Sequence, residues 1–173
     1  MASITAEQIN ELENEVKKLR EIIKQKEVDY HLCRLLDSDD TSRNLVDKLR
    51  NNSLKFISFS QKNIGDEGAK YLAEALKVNT YLKKIDLWDN NIGNEGAKYI
   101  AEALKVNTSL KEIRLGGNKI GDEGAKELAE ALKVNTSLNG ISLGSNNIGE
   151  EGEQLLEDAW KEAGKPEDGL DLW

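Results

Sequence analysis

From residue 53 onward the apolar positions switch between two rhythms, and they do so on a fixed period. In "YLKKIDLWDN" (81–90), Leu82 leads into Ile85 and Leu87, which alternate with polar neighbours as in a short strand with one buried face. Ile92 closes a turn. In "NEGAKYIAEALKV" (94–106), Ala97, Ile100, Ala101 and Leu104 then recur at helical spacing. Segments beginning at Ser53, Tyr81, Ser109 and Ser137 repeat this alternation every 28 residues. The second and third agree at 19 of 28 positions. One strand and one helix per unit, with every helix crossing back in the same sense, predicts an α/β solenoid with parallel strands. A unit this small cannot bury its apolar face alone, so the core must be continuous across repeats.

The signature L-x-x-L-x-L-x-x-N-x-L stands in this chain as "LKKIDLWDNNI", "LKEIRLGGNKI" and "LNGISLGSNNI". It resembles the leucine-rich repeat. The 28-residue period and the "GDEGAKxLAEAL" helix are similar to the ribonuclease-inhibitor-like subtype, which NOD-like immune receptors, Ran GTPase-activating protein and tropomodulins share. The resemblance covers 53–164 as four repeats and implies a short horseshoe arc, with strands on the concave face and helices on the convex one. It also implies a ladder of Asn90, Asn118 and Asn146 bonded to the turn backbone. The first unit, "LKFISFSQKNI", carries Lys62 in the Asn slot, which predicts a looser edge there.

Both ends read as caps. Leu45 and Leu49 in "TSRNLVDKLRNN" match Leu72 and Leu76 of the repeats, so 29–52 reads as a linker and a helical half-repeat. At the other end Ala125 and Ala129 give way to Glu153 and Glu157, charges that allow no further helix to stack. After Pro166, "GLDLW" repeats the rhythm of 85–88 and predicts an edge strand within 165–173.

Residues 1–28 follow a different rule. Ile9, Val16 and Ile23 fall at heptad position a, and Leu12 and Leu19 at d, a pattern that favours a parallel two-stranded coiled coil. "LENEVKKLREII" is similar to the leucine zipper of yeast bZIP activators, with no basic region before it. The pattern lasts under three heptads before Lys26 occupies d, so the alternative is a helix folded back on its own solenoid.

Net charge is −8, which disfavours nucleic acid as a partner. The charge is uneven: residues 53–148 carry 12 acids and 13 bases, whereas 149–173 carry 9 acids and 2 bases. No run of 18 apolar residues exists to cross a membrane, and "MASITAEQINELE" does not read as a signal peptide. With Cys33 as its only cysteine the chain forms no disulfide framework, and a cytoplasmic location is expected. No cofactor is implied. "GGNKIGDEG" lacks the Lys and Ser/Thr of a phosphate loop, because Asp122 follows Gly121. Asp66, Asn94 and Asp122 read instead as caps of their own helices. His31 and Cys33, two apart on a helix, point to different sides and cannot form a dyad.

What remains is a surface. The slots flanking the inward Ile and Leu read Phe56, Ser58, Ser60; Lys84, Asp86, Trp88; Glu112, Arg114, Gly116; Gly140, Ser142, Gly144; then Gly169, Asp171, Trp173. A position that accepts Trp88 in one repeat and Gly116 in the next is not a core site, since close-packed interiors feel a single methylene. Strand spacing sets Lys84 beside Glu112 and Asp86 beside Arg114 as opposite-charge pairs. It also places a glycine floor, Gly116 and Gly144, between Trp88 and Trp173. The reading is a non-enzymatic module that binds a protein partner through Phe56, Lys84, Asp86, Trp88, Glu112, Arg114 and Trp173, with homodimerisation through the N-terminal helix. A GTPase regulator resembling Ran GTPase-activating protein is the alternative. So is an engineered repeat scaffold, because "AEALKVNT" recurs verbatim.

Overall fold

A computed structural model describes residues 54–173. The heptad segment, His31, Cys33 and the 41–52 cap all lie outside the described residues. Strands and helices alternate: β1 (Phe56–Ser58), α1 (Gly65–Val78), β2 (Lys84–Asp86), α2 (Asn94–Val106), β3 (Glu112–Arg114), α3 (Asp122–Val134), β4 (Gly140–Ser142), α4 (Glu150–Glu162), a single 3-10 turn (Glu167–Gly169) and β5 (Leu170–Asp171). The strands form one parallel sheet in sequence order. Register is in step with the 28-residue period through Ile57, Ile85, Ile113 and Ile141, and Leu170, one residue out of that step, pairs with Ile141. "GLDLW" therefore does supply the expected edge strand.

Between sheet and helices lies one aliphatic core. Ile85, Leu87, Ala97, Ile100, Ala101 and Leu104 are all buried, as the two periods predict, and so are their counterparts in the neighbouring repeats. Alanines on the helices let each pack closely on the next. Glu157 on α4 is exposed, as its charge requires of a terminal helix.

Two asparagine ladders bind the repeats to one another. In the first, Asn90 Nδ2 donates to the Phe59 and Trp88 carbonyls while its Oδ1 accepts from the Lys62 and Ile64 amides. Asn118 does the same for Asn90 and Ile92, and Asn146 for Ile120. Each Asn thus satisfies the turn of the repeat before it. Asn90 therefore bonds the first turn from the repeat after it, and what Lys62 removes is the Nδ2 donor that Asn90, Asn118 and Asn146 each also give to their own turn's carbonyls.

The second ladder is invisible in the repeat signature. Asn107, one residue past α2, donates to the Leu76 and Asn79 carbonyls at 2.6 and 2.9 Å and accepts from the Ser109 and Leu110 amides. Asn135 repeats this with Leu104, Asn107, Ser137 and Leu138. Both side chains are buried, so these bonds answer carbonyls that water cannot reach. After the last repeat a lysine takes over. The Lys165 ammonium donates to the Asn135 and Leu138 carbonyls, both at 2.8 Å, and lies over the Trp160 ring. Burial, and after it the charge of Lys111, holds the Lys165 pKa below the ordinary lysine value. Trp160 seals the end from within, its indole N–H donating to the Pro166 carbonyl.

The "DEG" turns also work between repeats, which corrects the capping role expected of them. None of the helices carries a side-chain cap from its own N-terminus. Instead Asp66 Oδ1 accepts from the Gly93 and Gly96 amides, 2.7 and 2.9 Å away at the start of the following helix. Asn94 treats Gly121 and Gly124 likewise, and Asp122 accepts from Gly149. Stacking brings the first turn of one helix nearer to the next helix's free N–H groups than its own side chain can fold back. Glycine is needed where the carboxylate arrives: a Cβ on Gly96 would sit 2.6 Å from Asp66 Oδ1 and 3.1 Å from the Ala69 methyl.

Candidate partner-binding face

The outward slots of the strands assemble into three columns. Phe56, Lys84, Glu112 and Gly140 form the first, and Ser58, Asp86, Arg114, Ser142 and Asp171 the second. Backbone bonds from Gln61 N to Trp88 O, Asp89 N to Gly116 O and Gly117 N to Gly144 O carry the ladder into a third column of Ser60, Trp88, Gly116 and Gly144. The candidate partner-binding residues fall on these strands, with Phe56 on the first and Trp173 just beyond the last, whereas Ile9, Leu12, Val16, Leu19 and Ile23 lie outside the described residues.

The charges pair differently from the expectation. Lys84 and Glu112 do meet, at 2.5 Å. Asp86 and Arg114 are register neighbours yet form no ion pair. Arg114 Nε turns to the same Glu112 carboxylate at 3.4 Å, while Asp86 accepts from the Trp88 amide and the Ser58 hydroxyl. A carboxylate two residues before an extended chain's N–H is held locally, and Glu112, one column over, is free to take both cations. Glu112 therefore sits between two cations as the centre of a small network.

Trp88 is half-exposed at 45%. Its indole leans over the next repeat: a Cβ on Gly116 would stand 3.3 Å from Cδ1, and one on Gly117 would stand 3.2 Å from Nε1. Trp88 is followed by Gly116 at this slot because the missing side chain leaves room for the ring. Gly117 also holds a left-handed turn at φ +68°, a conformation that Asp89 and Ser145 adopt at the same slot.

The groove itself is displaced from the predicted position. Gly116 lies under the Trp88 edge, and Gly144 is covered by the chain of Trp173, whose carbonyl a Gly144 Cβ would overlap. The open concavity, about 640 Å³, lies nearer the strand entries, over Gly140, with Trp88, Lys111, Arg114, Asp168 and Asp171 in its walls. Trp173 is 86% exposed and stands outside it. Asp168 escaped sequence reasoning because it belongs to the 3-10 turn rather than to the repeat. Lys111 was legible only as the slot before a strand. Asp171 hydrogen-bonds the Ser142 hydroxyl at 2.9 Å, so this wall is partly satisfied already.

The amides that a phosphate would use in "GGNKIGDEG" are occupied. Gly121 and Gly124 both donate to Asn94 Oδ1. Among the described residues no three His, Cys, Asp or Glu side chains gather as a metal site, and no helix is long and apolar enough to cross a membrane.

This architecture is a leucine-rich-repeat solenoid. The family model described as "Leucine Rich repeat" matches residues 50–73, 78–101 and 106–129. The fold is also similar to two solved structures. One, a leiomodin-1 structure titled "Actin-Binding Site 2", has a TM-score of 0.68 and 22% identity over 76% of this chain and 78% of that one. The other is the tropomodulin C-terminal domain of Caenorhabditis elegans, with a TM-score of 0.62 and 18% identity over 73% and 79%. No curated protein sequence matches the chain.

Proposed function

We propose that this protein is a non-catalytic protein-interaction module that engages a partner through its concave face, with Trp88 as the anchor. The observation that carries this reading is the half-exposed indole beside an open groove. Buried tryptophan is favoured as a hot spot in interfaces, and here much of the ring already has a platform, so little mobility is lost on binding. Lys84, Glu112 and Arg114 supply a polar rim next to it. Phe56 on the first strand and Trp173 just past the last are both exposed and lie four strand spacings, about 20 Å, apart across the sheet, bracketing the face.

Trp88→Ala should cost only about 1 kcal/mol of stability, from the part of the indole packed over Gly116 and Gly117. It should weaken partner binding by about 2 kcal/mol or more, the scale of a hot spot. Actin is the first partner to try, because the leiomodin-1 structure bears an actin-binding title. Co-sedimentation with actin filaments and capture from extract, each with wild type and Trp88→Ala, read the result. Equal capture by both proteins would remove the concave anchor.

The same reading gives residues 5–27 the role of a tether that presents two solenoids together through Ile9, Leu12, Val16, Leu19 and Ile23. Deleting them should turn a dimer into a folded monomer. Light scattering that finds the intact chain monomeric would discard the zipper in favour of a helix packed on its own solenoid.

A further inference from the structure

The entry side of the sheet carries a like-charge column. Lys83 N bonds to Lys55 O, Lys111 N to Lys83 O, and Asn139 N to Lys111 O, so these residues occupy equal slots on successive strands. Adjacent strands lie about 4.8 Å apart, so the three lysine backbones fall within about 10 Å. Lys55 and Lys111 are exposed and Lys83 is half-buried. Among the described residues no carboxylate comes within ion-pair distance of any of the three. Lys84 and Arg114, in the adjoining columns, are already engaged by Glu112. Lys165 extends the basic edge, and the charge of Lys111 contributes to its lowered pKa.

Like charges side by side on a sheet destabilise it. This column persists in a protein of net charge −8, where acids are plentiful enough to have paired it. We propose that Lys55, Lys83 and Lys111 form a docking edge for an acidic helix of a protein partner. Such a helix presents one carboxylate per turn along one face. Helical turns recur every 5.4 Å, close to the strand spacing, so carboxylates at i, i+4 and i+7 span about 10.5 Å and meet the three ammonium groups in order. An extended acidic strand repeats its side chains about 6.8 Å apart on one face and falls out of step. A nucleic-acid backbone fits less well, because it is a long polyanion that runs past the three lysines over a chain of net charge −8, whereas one face of a short helix ends with them. The inference rests on the concave-face reading and adds the chemistry of the partner.

The test uses the full chain and a fluorescent, alanine-based helical peptide carrying glutamate once per turn on one face. At low salt the wild type should bind it, and should bind the glutamine version of the peptide at least about tenfold more weakly. The triple variant K55Q/K83Q/K111Q should lose binding of the glutamate peptide by about tenfold or more, as three exposed ion pairs would allow. Its melting temperature should be equal or higher, because repulsion is relieved; this excludes misfolding as the cause. Undiminished peptide binding by the triple variant would overturn the proposal. So would a wild type that binds a single-stranded oligonucleotide and ignores the peptide. Trp88→Ala separates the two readings. If capture of a partner depends on Trp88 while the lysines leave peptide binding unchanged, the docking edge fails and the concave anchor stands. The reverse pattern removes the anchor and keeps the edge.

Discussion

Asn107→Ala is expected to destabilise the protein by about 3–5 kcal/mol. The side chain closes the end of α2, donates to the Leu76 and Asn79 carbonyls, and accepts from the Ser109 and Leu110 amides. It is buried, so alanine would leave several backbone groups facing one another with no partner. Each orphaned group costs about 1–3 kcal/mol, and water entering the small space left behind offsets part of the sum. Val106, one residue earlier, is exposed, and Val106→Ala should change stability by less than about 0.5 kcal/mol. Urea denaturation of the two variants makes the comparison. A loss under about 1 kcal/mol for Asn107→Ala would mean that the inter-repeat ladder contributes little.

Leu104→Ala should cost about 2–5 kcal/mol, the usual range when a buried leucine leaves a cavity. Leu104 lies in α2, which packs against α1 on one side and α3 on the other, and its surroundings are held by both. A solenoid's stability is close to a sum over neighbouring interfaces, so a hole in a central repeat weakens two of them. Leu156, equally buried in α4, has a helix on one side only, and Leu156→Ala should fall lower in the same range. If the terminal substitution proves the costlier, cooperativity in this chain runs from the C-terminal end.

The legibility of this molecule in its sequence varied with the kind of contact. Ile85, Leu87, Ile100 and Leu104 announce their burial through spacing alone, because strand and helix periods are properties of the local backbone. Repetition then multiplies the reading: a period of 28 residues puts equivalent residues side by side, so register followed without further information. The Lys84–Glu112 pair was legible for that reason. The pairing of Asp86 with Arg114 was misread, because register fixes where a side chain starts and not which of two neighbours it prefers. Asp86 had a backbone amide within reach, and Arg114 had Glu112.

The polar connections between repeats were the least legible. Asp66, Asn94 and Asp122 have the identity and position of helix caps, and local rules assign them to their own helices. Their partners 27 and 30 residues onward come close only once the helices stack. Lys165 could not be placed at all from the chain, since it replaces an asparagine from outside the repeat frame. The groove moved for a similar reason: the tail that forms its far wall covers Gly144 and leaves Gly140 open.

By itself the sequence determined the solenoid, its parallel sheet, its aliphatic core and the face on which Trp88 stands, because each follows from a short-range period repeated in register. Tertiary structure alone decided which amides the acids and asparagines serve, which charges remain unpaired at Lys55, Lys83 and Lys111, and where the groove opens. Hydrogen bonds and ion pairs act over a few ångströms in space, and those distances exist only after neighbouring repeats have packed.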